Sequence, residues 1–338
     1  MIPGAASAAR APRLGFLGVG WIGRNRMEAV LSSGLGLSCV LCDPSSEMIA
    51  AARELAPAAD VVDSFEQLLA AEPDGILIAT PSALHAEQSM AALNAGIAVF
   101  CQKPLGRNAG EVAAVLEAAR RRDRLLGADF SYRHTRATTL IRDLIRDGEI
   151  GRVYTADLVF HNAHGPDKPW FYDPALSGGG CVMDLGVHLV DLLLWMQDFP
   201  EAILVAADLF AAGQRLENRH SQVEDYAVVT LGLDTGAVAR LACSWRLHAG
   251  CDAVISATFH GTKGSLAFQN VAGSFYDFTA ELRRGTHCEV IASPPDHWGG
   301  RAAVDWAGRL AAGHGFEPAA EQFLRVSQVL DSIYENAL

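Results

Sequence analysis

The sequence predicts an α/β fold in which a doubly wound parallel sheet is followed by an α+β domain with an open, mainly antiparallel sheet. Three observations lead to this prediction. Short apolar runs alternate with helical patterns over residues 13–130, which is typical of a parallel sheet covered by helices. The alternation ends near Tyr132, and residues 203–291 contain successive β-like runs without intervening helices. A chain of 338 residues is also long enough for two domains.

A glycine-rich turn follows the first predicted strand, residues 13–17. The turn has the G-x-G-x-x-G spacing and consists of Gly18, Val19, Gly20, Trp21, Ile22 and Gly23. In a dinucleotide site such glycines permit a tight turn, close approach of the pyrophosphate and close helix–strand packing. A second strand, residues 37–43, ends in Asp43, where an acid is expected to meet the adenosine ribose. The pattern favours a dinucleotide-binding site over an ordinary strand–helix turn.

Helix signals divide the rest of the N-terminal part. Ser64 and Asn108 each precede an acid or amide at the capping-box spacing. Pro81 ends a continuous apolar run, Ser82 is expected to cap the next helix, and Gly96 ends that helix. The predicted helices are 21–33, 45–56, one beginning at 64, 82–94 and 108–122, and the further predicted strands are 61–62, 75–80, 97–101 and 125–130.

The C-terminal part has a different order of elements. The predicted helices are 136–146, 180–196, 301–312 and 318–336, and the predicted strands are 153–160, 203–210, 225–233, 237–245, 253–260, 265–268 and 275–282. We assign residues 1–12 to a disordered tail, 13–131 to a dinucleotide-binding domain and 132–338 to a substrate-binding and oligomerisation domain. An open sheet with an apolar outer face must be covered, so we expect a homodimer or homotetramer packed through this sheet.

Composition limits the partners of the protein. The formal net charge of −12 disfavours nucleic acid or an anionic membrane as the main partner. We find no run that approaches the ~18 apolar residues of a spanning helix. Seven cysteines are too scattered for a disulfide framework, and Cys39 and Cys42 point to opposite faces of one predicted strand. We therefore expect a reducing compartment, the cytoplasm.

Three side chains are candidates for chemistry. Lys103 follows the strand 97–101, and ligands of parallel sheets bind at this end of the strands. Asp184 and His188 stand four residues apart in a predicted helix, so both can meet one target. Lys103 could instead be an ordinary surface lysine. Asp184 and His188 could instead form a surface contact or serve as two metal ligands. A zinc site needs a third ligand that no motif supplies, so no metal is predicted.

The chain resembles the glucose–fructose oxidoreductase, inositol dehydrogenase and rhizopine-catabolism family (Gfo/Idh/MocA) of NAD(P)-dependent oxidoreductases. The motifs that carry the resemblance are the glycine turn 18–23, Ala79-Thr80-Pro81-Ser82-Ala83-Leu84-His85, Gln102-Lys103-Pro104-Leu105, and Gly178-Gly179-Gly180 with Asp184 and His188. The similarity covers residues 13–337. It implies a Rossmann domain for the N-terminal part and a cis peptide bond before Pro104.

The resemblance also implies roles for individual residues. Those expected to line the cofactor are Gly18, Gly20, Trp21, Ile22, Gly23, Asp43, Ala79, Thr80, Pro81, His85, Gln102 and Lys103. Those expected to contact substrate are Lys103, Tyr132, Arg133, Asp184, His188 and His164, which lies in a loop expected to shape the pocket. His188 is the expected general base, because an imidazole titrates near neutral pH. Lys103, Asp184 and His188 form the predicted catalytic group.

One position departs from the family pattern. The family usually has Glu-Lys-Pro, and this chain has Gln102 before Lys103. Glutamine can still hydrogen-bond a ribose hydroxyl of the nicotinamide half, but it lacks the negative charge. The role of the family's glutamate is therefore in doubt here.

The sequence thus predicts transfer of a hydride between a nicotinamide and a secondary alcohol or carbonyl of a sugar, cyclic polyol or sugar derivative. Asp43 favours NAD over NADP, because a carboxylate repels the 2′-phosphate and no arginine follows in Pro44-Ser45-Ser46. One alternative is a reductase of a non-sugar carbonyl or C=C bond. The other is a non-catalytic regulatory protein that keeps the nucleotide-binding fold.

Overall fold

The computed structural model describes residues 11–337 of the chain. Most of the predicted tail, residues 1–12, therefore lies outside the described residues. Within 11–337 the strands form two sheets, one parallel and one mainly antiparallel. This confirms the predicted fold class.

The first sheet is parallel, with the strand order β3-β2-β1-β4-β5-β6. Its strands are β1 (Arg13–Leu17), β2 (Leu37–Cys42), β3 (Asp60–Val61), β4 (Gly75–Ile78), β5 (Ala98–Cys101) and β6 (Leu126–Ala128). The order reverses between β1 and β4. In open sheets of this kind ligands bind at that reversal, outside the carboxyl ends of the strands.

Helices connect these strands. They are α1 (Trp21–Ser33), α2 (Ser46–Leu55), α3 (Phe65–Ala70), α4 (Ser82–Asn94) and α5 (Ala109–Arg122). The side chains of Ser45, Ser64 and Asn108 cap α2, α3 and α5, respectively. The caps by Ser64 and Asn108 were predicted from the sequence. Helix α4 differs from the prediction, because Pro81 occupies its N-cap and Ser82 is its first residue. Helices α1 and α4 both begin without a side-chain cap and without an acid in the first turn.

The second sheet has the order β15-β14-β13-β12-β7-β11-β10-β8-β9. All its neighbouring pairs are antiparallel except β7 and β11. Its strands are β7 (Val153–Asn162), β8 (Ala202–Ala211), β9 (Gln214–Arg215), β10 (Tyr226–Leu233), β11 (Val238–Ser244), β12 (Ala253–Gly261), β13 (Ser265–Asn270), β14 (Phe278–Arg284) and β15 (His287–Ala292). The two edge strands β9 and β15 were not predicted individually.

One face of the second sheet is covered by helices. The helices of this part are α6 (Arg136–Arg146), α7 (Pro174–Ser177), α8 (Val187–Met196), α9 (Arg301–Ala311) and α10 (Glu321–Glu335). Helices α6, α8 and α10 pack on the sheet, and inward residues such as Ile255 and Phe259 are buried. The other face leaves Tyr154, Val228 and Val238 exposed. Association through this open face remains a prediction.

Helix α9 packs on the first sheet, although it follows the second sheet in sequence. Trp306 is fully buried, and its ring lies 5.8 Å from that of Phe100. Gly75 and Gly127 leave the space for the indole, because a Cβ at either position would lie within 2.8 Å of the Trp306 ring. A division of the chain at residue 132 therefore separates α9 from the core to which it contributes.

Residues Pro174–Met196 correct the expectation that no run is apolar enough to span a membrane. The segment passes that test by length and composition. However, 89% of its most apolar window is buried inside the fold. Its apolar side chains pack on the second sheet and on α10, as in the core helix of a globular domain.

Candidate active site

Lys103 lies in the turn after β5, where an ion pair joins the two parts of the chain. Its Nζ lies 2.8 Å from Oδ1 of Asp184 and 2.7 Å from the backbone oxygen of the same residue. The Lys103–Pro104 peptide bond is cis, as predicted. Because both partners are only partly exposed, the pair is shielded from bulk water. Lys103 is therefore a fixed cation at the carboxyl edge of the first sheet.

The carboxylate of Asp184 is held on its other side as well. The indole Nε1 of Trp245 donates to Oδ2 of Asp184 over 3.0 Å. Trp245 directly follows β11 and is buried. Each oxygen of Asp184 thus has one partner, a cation on one side and an indole on the other. This arrangement orients the carboxylate toward Lys103.

A π-helical turn, Val182–Gly186, carries Asp184 into α8. The prediction assumed one regular α-helix, in which residues four apart lie directly above each other. The wider π turn changes the relative orientation of Asp184 and His188. In this orientation Asp184 contacts Lys103 and Trp245. Single π turns within helices recur at functional sites.

Glu224 fixes the start of this helical segment. Its Oε1 accepts from the backbone N–H groups of Gly180 and Val182, each over 2.9 Å, and from the hydroxyl of Tyr334 over 2.8 Å. Burial raises the pKa of Glu224, and these donors oppose that shift. A Cβ at Gly180 would lie 1.8 Å from the backbone oxygen of Glu224, so only glycine permits this approach.

His188 lies on the first turn of α8 and is 7% exposed. Its ring packs edge-on against Tyr132, with centroids 4.9 Å apart. Burial lowers the pKa of His188 well below its ordinary value, and the nearby cations Lys103 and Arg26 lower it further. Within residues 11–337 its Nδ1 has no hydrogen-bond partner. His188 is therefore a neutral imidazole with a ring nitrogen unengaged by the protein.

The three other predicted substrate residues, Tyr132, Arg133 and His164, lie in three different environments. Tyr132 lies in an aromatic cluster that also contacts His188, and burial raises the pKa of its hydroxyl. Arg133 donates to Asp191 over 2.9 Å and to Gln322 over 2.9 Å, so its guanidinium is held inside the domain. His164 is highly exposed. The structure thus brings Tyr132 to the catalytic group, while Arg133 and His164 make their polar contacts elsewhere.

The glycine turn fits a dinucleotide. Gly18 has φ +80°, and a Cβ there would lie 2.6 Å from the backbone oxygen of Ala79. A Cβ at Gly23 would lie 2.1 Å from the oxygen of Gly18, which keeps α1 close to the strand. A Cβ at Gly20, in contrast, would meet no atom within 4 Å. The open space at Gly20, in front of the uncapped start of α1, suits a pyrophosphate.

Asp43 lies beside the same turn. Its Oδ2 accepts from the backbone N–H of Val19 over 2.8 Å, and its Oδ1 accepts from that of Ser45 over 2.8 Å. Each oxygen keeps lone pairs for further donors. Trp21, which is also predicted to line the cofactor, lies at the start of α1, and its side chain is 64% exposed. The carboxylate is thus oriented by backbone atoms at the place where the adenosine ribose is expected.

His85 joins two turns of the predicted cofactor site. Its Nδ1 lies 2.7 Å from the backbone oxygen of Pro104, and its Nε2 lies 2.7 Å from that of Thr80. The ring is buried, and burial lowers its pKa while the two carbonyl groups oppose that shift. The Thr80 hydroxyl donates to Gln88 over 2.6 Å. His85 therefore fixes the turns after β4 and β5, and both its ring nitrogens are engaged by protein.

Four residues of the site were not singled out from the sequence. They are Arg26, Asp129, Glu224 and Trp245. Asp129 directly follows β6 at the carboxyl edge of the parallel sheet, which is a signal that could have found it. The other three contact the site through tertiary packing that no local pattern encodes.

No metal site is formed in the part of the chain that the structure describes, because no three His, Cys, Asp or Glu side chains cluster suitably. The alternative reading of Asp184 and His188 as metal ligands thus has no third ligand there. Lys103 is partly buried and forms an ion pair across the cleft, which also differs from a surface lysine.

A doubly wound sheet with a glycine-rich turn is joined to a second domain that brings Asp184 and His188 to Lys103, which is the architecture of a two-domain protein with a dinucleotide-type fold. Residues 13–130 match the model of the oxidoreductase family with an NAD-binding Rossmann fold, and residues 138–267 match the GFO/IDH/MocA C-terminal domain. The chain therefore belongs to the GFO/IDH/MocA family. This confirms the predicted resemblance.

The chain is similar to several curated relatives. It is 27% identical to a D-glucoside 3-dehydrogenase of Escherichia coli (60% of each chain covered) and 29% identical to a 1,5-anhydro-D-fructose reductase of Ensifer adhaerens (77% of this chain and 76% of the relative). It is 31% identical to an inositol 2-dehydrogenase of Acidiphilium cryptum (66% and 64%). The chain thus spans less than two thirds of the first and third of these relatives.

Solved structures share the fold over nearly the whole chain. One is levoglucosan dehydrogenase in complex with NADH and levoglucosan, with a TM-score of 0.82, 22% identity and coverage of 96% and 97% of the two chains. Another is KijD10, a 3-ketoreductase from Actinomadura kijaniata in complex with NADP and TDP-benzene, with a TM-score of 0.82, 21% identity and coverage of 97% and 98%. At this identity the likeness concerns the fold.

Proposed function

We propose that the protein is an NAD-dependent oxidoreductase that interconverts a secondary alcohol and a carbonyl group of a sugar, cyclic polyol or sugar derivative. The observation that carries the proposal is the ion pair of Lys103 and Asp184 beside the neutral imidazole of His188. These groups stand at the carboxyl edge of the nucleotide-binding sheet, where a bound nicotinamide would meet substrate. The family membership and the names of the relatives support it.

The roles of the side chains follow from their contacts. His188 accepts the proton of the substrate hydroxyl, because a neutral ring has a free lone pair. Lys103 donates to the substrate oxygen and stabilises the negative charge that develops there. Asp184 holds Lys103 in place and is itself held by Trp245. When bound, the nicotinamide supplies or accepts the hydride. In the direction of reduction, His188 returns the proton.

The cofactor is bound by backbone groups of the first domain in this proposal. The glycine turn and the uncapped start of α1 receive the pyrophosphate. Asp43 accepts from the hydroxyls of the adenosine ribose, and its charge repels a 2′-phosphate. The backbone contacts of its two oxygens support this role. NAD is therefore the proposed cofactor over NADP, although Arg24 lies nearby in sequence.

The substrate class is supported by the chemistry of the loop around Trp245. A cavity of about 270 Å³ is lined by the aromatic rings of Tyr172 and Trp245 together with Gln222, Asp225 and Arg246. Aromatic faces beside hydrogen-bonding groups suit a molecule with many hydroxyls. Trp245 links this cavity to the catalytic group, because its indole nitrogen donates to Asp184, although Lys103, Asp184 and His188 do not line the cavity themselves.

Activity with a panel of alcohols tests the proposal. Cyclic polyols, aldoses, glycosides and anhydro sugars are offered with NAD⁺ at alkaline pH, and the absorbance of reduced cofactor is followed. We expect turnover with at least one class and none with the His188→Ala variant. A wild-type protein that binds NADH but reduces only activated C=C bonds or non-sugar carbonyls would favour the alternative reductase. Binding of NADH without turnover of any offered compound would favour a regulatory protein.

Assembly and location complete the proposal. The open face of the second sheet, with Tyr154, Val228 and Val238 exposed, is the surface through which a homodimer or homotetramer forms. Light scattering at micromolar concentration tests this, and a monomeric mass would contradict it. All seven cysteines lie in the described residues and are free thiols, which supports work in the cytoplasm.

A further inference from the structure

A buried polar cluster stands between the glycine turn and the catalytic lysine. It consists of Arg26 on α1, Gln102 after β5 and Asp129 after β6, which are all less than 9% exposed. Oδ2 of Asp129 accepts from Nε of Arg26 over 2.6 Å and from Nε2 of Gln102 over 2.6 Å. The cluster thus ties the cofactor helix to the turn that carries Lys103.

The cluster leaves two oxygen atoms without protein donors. Oδ1 of Asp129 is buried and has no hydrogen-bond partner within residues 11–337. The amide nitrogen of Gln102 is committed to Asp129, so its Oε1 is the atom left to accept. Buried polar atoms are rarely left unpaired, and an unpaired one beside a ligand cleft marks a place where a ligand or water donates.

We propose that Asp129 is a positioning residue that fixes Gln102, so that the amide oxygen of Gln102 accepts a hydrogen bond from a hydroxyl or amide of the nicotinamide half of the cofactor. The inference rests on the proposed function. Asp129 also supplies the negative charge at this end of the site, which Arg26 balances. Because the charges of Arg26 and Asp129 already balance, this arrangement requires an uncharged side chain at position 102, and Gln102 provides it.

A carboxylate at position 102 would not serve in its place. Two carboxylates at the 2.6 Å that separates Gln102 and Asp129 cannot both be ionised, so one would take up a proton. Arg26, Cys101 and His134 are the other charged or titratable groups that face Asp129. The glutamate that the family usually carries before the lysine is thus compatible with this chain only if one carboxyl of the pair is protonated or Asp129 is replaced.

A charge exchange tests the proposal. Gln102→Glu should weaken NADH binding ~10–100-fold at roughly pH 8. The substitution removes the amide that Asp129 holds in place and adds a negative charge that Asp129 repels. Binding should recover as the pH falls and one carboxyl of the pair takes up a proton. Gln102→Glu combined with Asp129→Asn restores one charge for Arg26. That double variant should bind within ~3-fold of the wild type, with little dependence on pH.

Glu117→Gln is the matched control, because it replaces a carboxylate by an amide in an exposed contact with Arg120 on α5, away from the site and from the open face of the second sheet. Melting temperatures are measured for every variant. If Gln102→Glu alone fails to fold while the double variant folds and binds NADH, the pairing is supported. Gln102→Glu binding as the wild type does at all pH values, or a folded double variant without recovery, would overturn the inference. Failure of the wild type to bind NADH would instead contradict the proposed function.

Discussion

The two halves of the candidate site are built from different kinds of atoms. In the cofactor half, backbone N–H groups and the absence of side chains make the surface, as the open space at Gly20 shows. In the catalytic half, partly buried charged side chains make the surface, and Lys103 and Asp184 come from opposite sides of the cleft. Each of these side chains is held by a further residue, such as Trp245 on Asp184. The first half is made by turns of the N-terminal sheet alone, and the second requires both parts of the chain to fold together.

This difference means that binding and chemistry can be separated by mutation. Changes near the glycine turn act on cofactor affinity, whereas changes near the π turn act on turnover. Folding stability depends on other positions. Gly23 and Gly180 must be glycine because a Cβ there would clash with packed backbone atoms, and not because a ligand approaches. Each variant below is directed at one side of this comparison.

His188→Ala should have the largest effect. Loss of the general base should lower kcat by ~10²–10⁴ for alcohol oxidation, because the proton then has no positioned acceptor. NADH binding should stay close to the wild type, since the cofactor half is intact. Steady-state kinetics and a fluorescence titration of NADH on the same preparation measure both. Near wild-type turnover on a confirmed substrate would remove His188 from the mechanism.

Lys103 and Asp184 should behave as one unit. Lys103→Met and Asp184→Asn should each lower kcat/KM by ~10–10³, because either change leaves the other group unpaired at the reacting oxygen. The double variant should lose less than the sum of the two. A double-mutant cycle on kcat/KM measures the coupling. Trp306→Phe is a control at a buried position of α9, against the first sheet and away from the ion pair. Strictly additive losses would show that the ion pair has no part in catalysis.

A glycine pair sharpens the comparison within the cofactor half. Gly20→Ala adds a methyl group to open space, so it should weaken NADH binding ~10-fold while the melting temperature hardly changes. Gly23→Ala places the same methyl 2.1 Å from a backbone oxygen, so it should destabilise the fold by about 2 kcal/mol or more. Thermal unfolding and NADH titration of both variants decide. The reverse assignment of the two effects would contradict the described geometry.

Asp43→Ser should change the choice of nucleotide. Removing the carboxylate removes the repulsion of a 2′-phosphate, so the ratio of NADPH to NADH affinity should rise by ~10-fold or more. The oxygen of serine keeps a weaker contact with the backbone of the turn. Parallel titrations with both nucleotides measure the ratio. Tighter NADPH binding by the wild type would already contradict the proposed role of Asp43.

The pH dependence should give the smallest effect. Because the pKa of His188 lies below its ordinary 6.5, the neutral form that accepts a proton persists below that pH. The acid limb of kcat/KM should therefore lie below pH 6.5 and disappear in the His188→Gln variant. Stability should fall as the pH drops through about 6.5, since the unfolded state binds the proton more readily. A limb centred above pH 7 would show a different base.

The cofactor half was largely predictable from the sequence, because its signals are local. The glycine spacing, the capping residues and the apolar strands lie within short windows, and the structure places them as expected apart from the cap of α4. The order of the parallel strands follows from the same alternation. Asp43 belongs to the same set of local signals, whereas the cis bond before Pro104 was implied by the family resemblance and is present in the structure.

The catalytic half was predictable only in part. Lys103, Asp184 and His188 were singled out from the sequence and the structure brings them together, while their catalytic role stays a prediction. The π turn arises from tertiary contacts such as those of Glu224 with Gly180. Trp245 reaches Asp184 from the end of β11, which lies far away in sequence. Arg133 forms an ion pair with Asp191 that only the packed helices bring about, and its predicted contact with substrate stays a prediction. Such contacts have no periodicity in the sequence that could reveal them.

Direct transfer of a labelled hydride tests the central claim most directly. The alcohol that the panel identifies is prepared with deuterium on its carbinol carbon and offered with NAD⁺ to the wild type and to His188→Ala. The account predicts that the wild type forms reduced cofactor carrying one deuterium from the substrate, while the variant binds cofactor but transfers almost none. Reduced cofactor that carries no substrate deuterium, or equal transfer by the two proteins, would contradict it.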